Sequence, residues 1–238
     1  MRLLEKIAIL IAISCLISPA VAKEKPPQIR TDLLAVSFGK PLHLYYRDSQ
    51  GISKLDIFST GIGSPVYYKG EAVLHFYKRK QDLAPPKEGV APPIPAASVK
   101  LSAGNRRTLL VFVTNNNQVN TKVYGISDAQ MKAGDYYLFN FSKFPIAARI
   151  GQGVKPIQIA PSSTYITNDR ALRNKRMDLP VIFFSQEKGK KYRRVYSSVW
   201  GHSHNQRTFL FMADTGNPKK PIAFRRYRET PSVNTVPR

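Results

Sequence analysis

The 238-residue chain carries 37 Lys and Arg against 15 Asp and Glu, a formal charge of +22, and a single cysteine, Cys15. One cysteine excludes an intrachain disulfide framework and a zinc-thiolate cluster, so the fold must rest on a buried apolar core. Such a charge favours polyanionic partners and speaks to association rather than to fold.

The first residues, MRLLEKIAILIAISCLISPAVAKEK, read as a secretory signal. Arg2 and Lys6 form the basic start, Ile7 to Ile17 the apolar run, and Pro19 with Ala20-Val21-Ala22 the cleavage region. Cleavage near Ala22 is expected and places the protein in the periplasm or outside the cell. A lipoprotein reading, with Cys15 lipidated, fits less well because Ala12 stands where Leu is preferred. Beyond this segment no run approaches 18 apolar residues, and no period of 20 to 50 residues repeats.

Short runs rich in Val, Ile, Phe and Tyr recur between turn residues, the pattern of an all-β protein. Strands are predicted at Leu33–Phe38, Pro41–Arg47, Ile52–Phe58, Val66–Lys69 and Ala72–Lys78. Residues 84–97, APPKEGVAPPIPAA, hold five prolines and form a connector, either a linker or a long loop. Ser98–Leu101 and Arg107–Thr114 follow. Leu109 to Val113 is apolar throughout, which predicts a central strand buried on both faces. Asn115 to Gln118 turns the chain into Val119–Gly125, and Ser127–Lys132 is predicted as a short helix.

Asp135–Phe141 alternates, with Tyr136, Leu138 and Asn140 on one face and Tyr137, Phe139 and Phe141 on the other. Pro145–Ile150, Val154–Ile159 and Thr164–Thr167 come next, then a basic loop or helical turn over Asn168–Met177. Leu179–Gln186, Tyr192–Trp200, Arg207–Ala213 and Pro221–Tyr227 complete the predicted strands, and the tail after Glu229 is expected to be disordered. The expected fold is an immunoglobulin-like antiparallel β-sandwich over 98–228. Residues 23–83 supply extra strands or a small β domain.

Residues 132–167 resemble a stretch of exported bacterial β-sandwich proteins of immunoglobulin-like and cupredoxin-like type, through Gly134, Tyr136, Asn140, Pro145, Pro161 and Ser162. The resemblance implies a fold rather than an activity. A cupredoxin copper-ligand set is lacking, so that activity is not implied.

His202 and His204, in VWGHSHNQ, have the spacing of a metal pair. A third ligand would come from His43, His75 or Asp214. The flanking strands instead make this segment a hairpin turn, with no metal or other cofactor expected. Ser37 and Lys40 match S-x-x-K, but Pro41 and the strand pattern oppose the helix that chemistry needs. Gly201 to Asn205 is no nucleophile elbow, and Gly61-x-Gly63 is a turn between strands. A non-enzyme is therefore expected.

Basic clusters carry the functional lead: Lys78–Lys80, Arg170–Arg176, Lys188–Arg194, and Lys219-Lys220 with Arg225, Arg226 and Arg228. Tyr77, Tyr192, Tyr196, Trp200 and Tyr227 are interleaved. On the strand into Trp200, strict alternation would place Tyr192, Arg194, Tyr196 and Trp200 on one face, suited to stacking sugars and pairing with acids. The same alternation also fits aromatics facing the core. Candidate contacts are Arg194, Tyr196, Arg225, Arg226, Arg228, Lys190 and Lys191. The expected partner is an anionic polysaccharide or envelope polymer, or a protein, with nucleic acid disfavoured outside the cytoplasm. The alternatives are a metal-assisted hydrolase using the H-x-H pair and an accessory component of a secretion or polysaccharide-modification machine.

Overall fold

A computed structural model describes residues 28–85, 88–115, 118–167, 172, 178–187 and 189–231. The expected signal segment, nearly all of the basic 168–177 loop and the tail from 232 lie outside the described residues.

Among the described residues, sixteen strands follow one another, joined by turns, one 3-10 turn (Lys80–Leu83) and irregular loops. The first eight are β1 (Gln28–Ser37), β2 (Leu42–Asp48), β3 (Gly51–Ile57), β4 (Val66–Glu71), β5 (Val73–Phe76), β6 (Ala97–Lys100), β7 (Arg107–Asn115) and β8 (Gln118–Ile126). The second eight are β9 (Tyr136–Asn140), β10 (Ile146–Ile150), β11 (Ile157–Ile159), β12 (Thr164–Ile166), β13 (Leu179–Ser185), β14 (Arg193–Trp200), β15 (Arg207–Asp214) and β16 (Ile222–Glu229). The protein is all-β, as the periodicity predicts.

The two octets share one topology. In the first, the sheet order is β4-β1-β7-β8; the β2-β3 and β5-β6 hairpins form the opposing layer, joined by paired Tyr45–Tyr77 backbone bonds of 2.8 Å. In the second, the orders are β12-β9-β15-β16 and β11-β10-β13-β14. Each strand of one octet has its counterpart in the other. Even the parallel pairs match, β1 with β7 and β9 with β15, against otherwise antiparallel ladders.

Register makes the equivalence residue by residue. Leu34 faces Leu109 as Tyr137 faces Phe209, and Phe38 N–H donates to the Phe112 carbonyl as Phe141 N–H does to Met212. The chain is thus an internal structural repeat, with a period far longer than the windows in which its sequence shows none.

Four layers stack. One core lies within the first sandwich around Leu33, Tyr46, Phe76, Leu110 and Phe112, another within the second around Tyr136, Leu138, Phe183, Trp200 and Leu210. The third joins the two sandwiches: Leu34, Val36, Leu109 and Val111 pack with Tyr137, Phe139, Phe209 and Phe211. The two inner sheets are therefore covered on both faces. This is why Leu109 to Val113 is apolar without alternation and why both faces of Tyr136–Phe141 carry large side chains.

Two expected boundaries move. β7 lies beyond the proline-rich connector yet pairs with β1, so the strands on both sides of the connector belong to the first sandwich. The single sandwich expected over 98–228 is divided, because β6, β7 and β8 belong with the N-terminal strands. The helix expected over 127–132 is one turn, with Met131 N–H bonding to the Ser127 carbonyl at 2.9 Å and the Met131 side chain in the joining core. β16 keeps its pairing through Glu229, where the tail was expected to begin.

Candidate functional site: the basic edge of the second sandwich

β14 and β16 are edge strands on the same side of the second sandwich. Five of the seven expected contact residues lie on them, and the structure sorts these by face.

A register shift opposite Phe183 and Phe184 sets the geometry of β14. Phe183 pairs with Tyr196 and Phe184 with Arg194, so Val195 is the extra residue of a bulge. Cross-strand partners share a face, and consecutive residues of β13 point oppositely. Tyr196 therefore turns to the core with Phe183, while Arg194 turns outward with Phe184. The single face expected for Arg194, Tyr196 and Trp200 is split by this bulge. Tyr196 packs on Phe183, Phe224 and Trp200, and its hydroxyl accepts a 3.0 Å bond from the indole N–H of Trp200. Trp200 is only 4% exposed and offers no open ring face for a sugar.

β16 divides its arginines in the same way. Arg225 lies 4.5 Å over the Phe38 ring of the first sandwich and reaches the Ser37 carbonyl. It belongs to the joint between the halves. Arg226 and Arg228, two apart, point to the other face. Arg226 covers Trp200 at 4.8 Å, and Arg228 donates to the Gly201 carbonyl at 2.5 Å. Partial burial, and then the nearby charge of Arg228, hold Arg226 below the ordinary guanidinium range. Neither arginine pairs with a carboxylate among the described residues. An acid near this point is Asp178: its Oδ1 and a guanidinium nitrogen of Arg228 each lie 3.5 Å from where a Cβ would stand on Gly201.

Lys190 and Lys191 lie apart, on the β13–β14 hairpin. Lys190 Nζ is 2.6 Å from Glu187, which Arg193 also approaches at 3.2 Å, and the Lys190 bond draws the Glu187 carboxyl below its ordinary range. Lys191 is exposed.

The histidine pair does not converge. Residues 201–206 cross from β14 in one sheet to β15 in the other, so they form an arch and not the expected hairpin turn. His202 turns inward, stacked on the Tyr136 ring with Nδ1 2.9 Å from its hydroxyl, while His204 is exposed. Burial raises the Tyr136 phenol to about 12, against the lowering effect of Arg226 and Arg228. Among the described residues, no group of three or more His, Cys, Asp or Glu is placed to hold a metal ion. None of their helices is long and apolar enough to cross a membrane.

The internal repeat supplies a comparison. Leu110 pairs with Val123 and Thr108 with Gly125 in the first half; Leu210 pairs with Arg226 and Thr208 with Arg228 in the second. The two cations thus stand where the equivalent strand of the same fold carries valine and glycine. Sequence reading found the arginines but could not sort their faces, because the sorting depends on the bulge and on the second sandwich behind β16. No known family model matches the chain, and no curated protein is similar to it.

Proposed function

We propose that the protein is an exported, non-catalytic binding module that holds an anionic polymer along the β14–β16 edge, with Arg226 and Arg228 as its principal contacts. The observation that carries this reading is the side-by-side placement of these two guanidinium groups. Arg226 lies over the Trp200 ring, Arg228 donates to the Gly201 carbonyl, and neither has a carboxylate partner among the described residues, at positions where the matching strand is uncharged. An incoming sulfate or carboxylate would offset their mutual repulsion and accept their forked donors. With Trp200 beneath Arg226, binding rests on charge and guanidinium hydrogen bonds rather than on sugar stacking. Arg194 and Lys191 extend the positive field at longer range; Arg225 and Tyr196 act in packing.

Retention on heparin or alginate columns tests the proposal. Retention should fall steeply with salt and drop in an Arg226→Ala/Arg228→Ala variant. Salt-independent retention, or retention unchanged in the variant, would sink it. Export is tested by the N-terminus of the protein made in a bacterial host, which should begin close to Lys23.

A further inference from the structure

The outer face of the β11-β10-β13-β14 sheet differs from its counterpart in the first sandwich. That counterpart, on β2, β3, β5 and β6, is more polar and partly self-paired: His43 and Lys54 meet Asp56 and His75 meets Ser98, beside Tyr45, Ile52 and the exposed Val73. On the second sandwich, cross-strand register places Ala147, Pro180, Ile182, Phe184, Ser197 and Val199 on the outward side, with Arg149 and Arg194 among them. Val199 is 63% exposed, Ile182 and Phe184 are half-buried and Ala147 is buried; among the described residues no further sheet lies over this face. Tyr192 is exposed beside them, with its hydroxyl bonded to Gln158 of β11. The four strands contain no Asp or Glu, and neither arginine has a carboxylate partner among the described residues. The Nε of Arg149 is buried without a hydrogen-bond partner.

We infer that this face docks an extended segment of a partner protein bearing acidic and apolar side chains in alternation. Its apolar residues suit a polypeptide better than a hydrated polysaccharide, because burying them is where such a contact gains its free energy. Its two cations and lack of acids select a negatively charged occupant and oppose a second copy of the chain, which would set arginines against arginines. The chain's own termini are also the wrong match. MRLLEKIAILIAISCLISPAVAKEKPP and VNTVPR contain more basic than acidic residues. The face is separate from Arg226 and Arg228, so the protein would join an acidic protein to an anionic polymer. That bridging role rests on the proposed function; the docking face does not.

The test uses the full chain and a fluorescein-labelled peptide of alternating glutamate and valine, read by anisotropy. Saturable binding is expected. It should weaken by about tenfold or more in Arg194→Glu/Val199→Glu. Both positions are exposed, and circular dichroism checks that the variant folds. Arg226→Ala/Arg228→Ala should bind the peptide as the parent does. Absent binding, equal binding of polyglutamate, equal affinity in the first variant, or sedimentation showing the face occupied by a second copy each overturns the inference. Peptide binding without polymer retention would overturn the proposed function alone, and the reverse result would overturn the docking face alone.

Discussion

Asn140 shows how one buried side chain can hold a turn system. Its amide donates to the carbonyls of Phe144, Ile159 and Ala160 at 2.9, 3.1 and 3.0 Å, and its oxygen accepts from the N–H and hydroxyl of Ser142. These bonds tie the β9–β10 turn to the end of β11, close to Ser162 at φ 56. Asparagine is required because the site needs donors and an acceptor on one planar group. Asn140→Asp puts an acceptor-only carboxylate against three carbonyls, so it should destabilise at least as much as Asn140→Ala, by about 3 kcal/mol or more. Urea unfolding of both variants checks this; an aspartate variant as stable as the parent would show that these bonds contribute little. The reasons for the asparagine, proline and serine in this segment were not legible in the sequence, since the carbonyls that Asn140 meets come from both flanking turns.

At the scale of strands, the periodicity reported which segments were extended and which alternated, because each strand's burial is a local pattern. It could not report partners. The β7 run announced burial on both faces, but its pairing with β1 spans the proline-rich loop, which reads like a boundary. The basic edge was half legible for the same reason: Arg225, Arg226 and Arg228 are consecutive in character but divided by the sheet. Arg226→Val tests that division. Valine occupies the equivalent position on β8 and suits a strand, so stability should stay within about 0.5 kcal/mol of the parent while heparin retention falls. Arg225→Val should do the opposite, leaving retention nearly intact and removing a contact between sandwiches worth about 1 kcal/mol. Parallel melting and salt-elution curves separate the two outcomes, and equal effects of both variants would contradict the assignment of faces.

Across the whole molecule, the joint between the halves repeats its own contacts reciprocally. Lys122 of the first sandwich lies 4.5 Å over Phe141 of the second, and Arg225 of the second lies 4.5 Å over Phe38 of the first; Lys122 and Arg225 are equivalent positions, as are Phe38 and Phe141. At the far end of the same sheets, Arg107 and its equivalent Arg207 lie 2.9 and 3.7 Å from the Glu229 carboxylate, and Arg207 also reaches Asp128. Glu229→Gln leaves the buried Arg107 without its carboxylate and Arg207 with Asp128 alone, and should cost about 3 kcal/mol or more. A joint this apolar and this paired should make the two sandwiches unfold together. Trp200, the chain's only tryptophan, reports the second core alone, whereas far-ultraviolet circular dichroism reports all sixteen strands. The two probes should therefore trace one coincident denaturant transition. Alkali should reach both halves at once. Burial raises the phenols of Tyr68 in the first core, Tyr124 at the joint and Tyr136 in the second core from 10.0 to about 12. Below pH 10 these groups are protonated whether folded or unfolded, and their contribution is fully present. Between pH 10 and about 12 only the unfolded chain releases their protons, so stability falls across that window. Unfolding followed by tyrosinate absorbance and by Trp200 fluorescence should coincide there; a loss of the Trp200 signal at lower pH, with the β signal intact, would mean that the halves are held less tightly than their shared core requires.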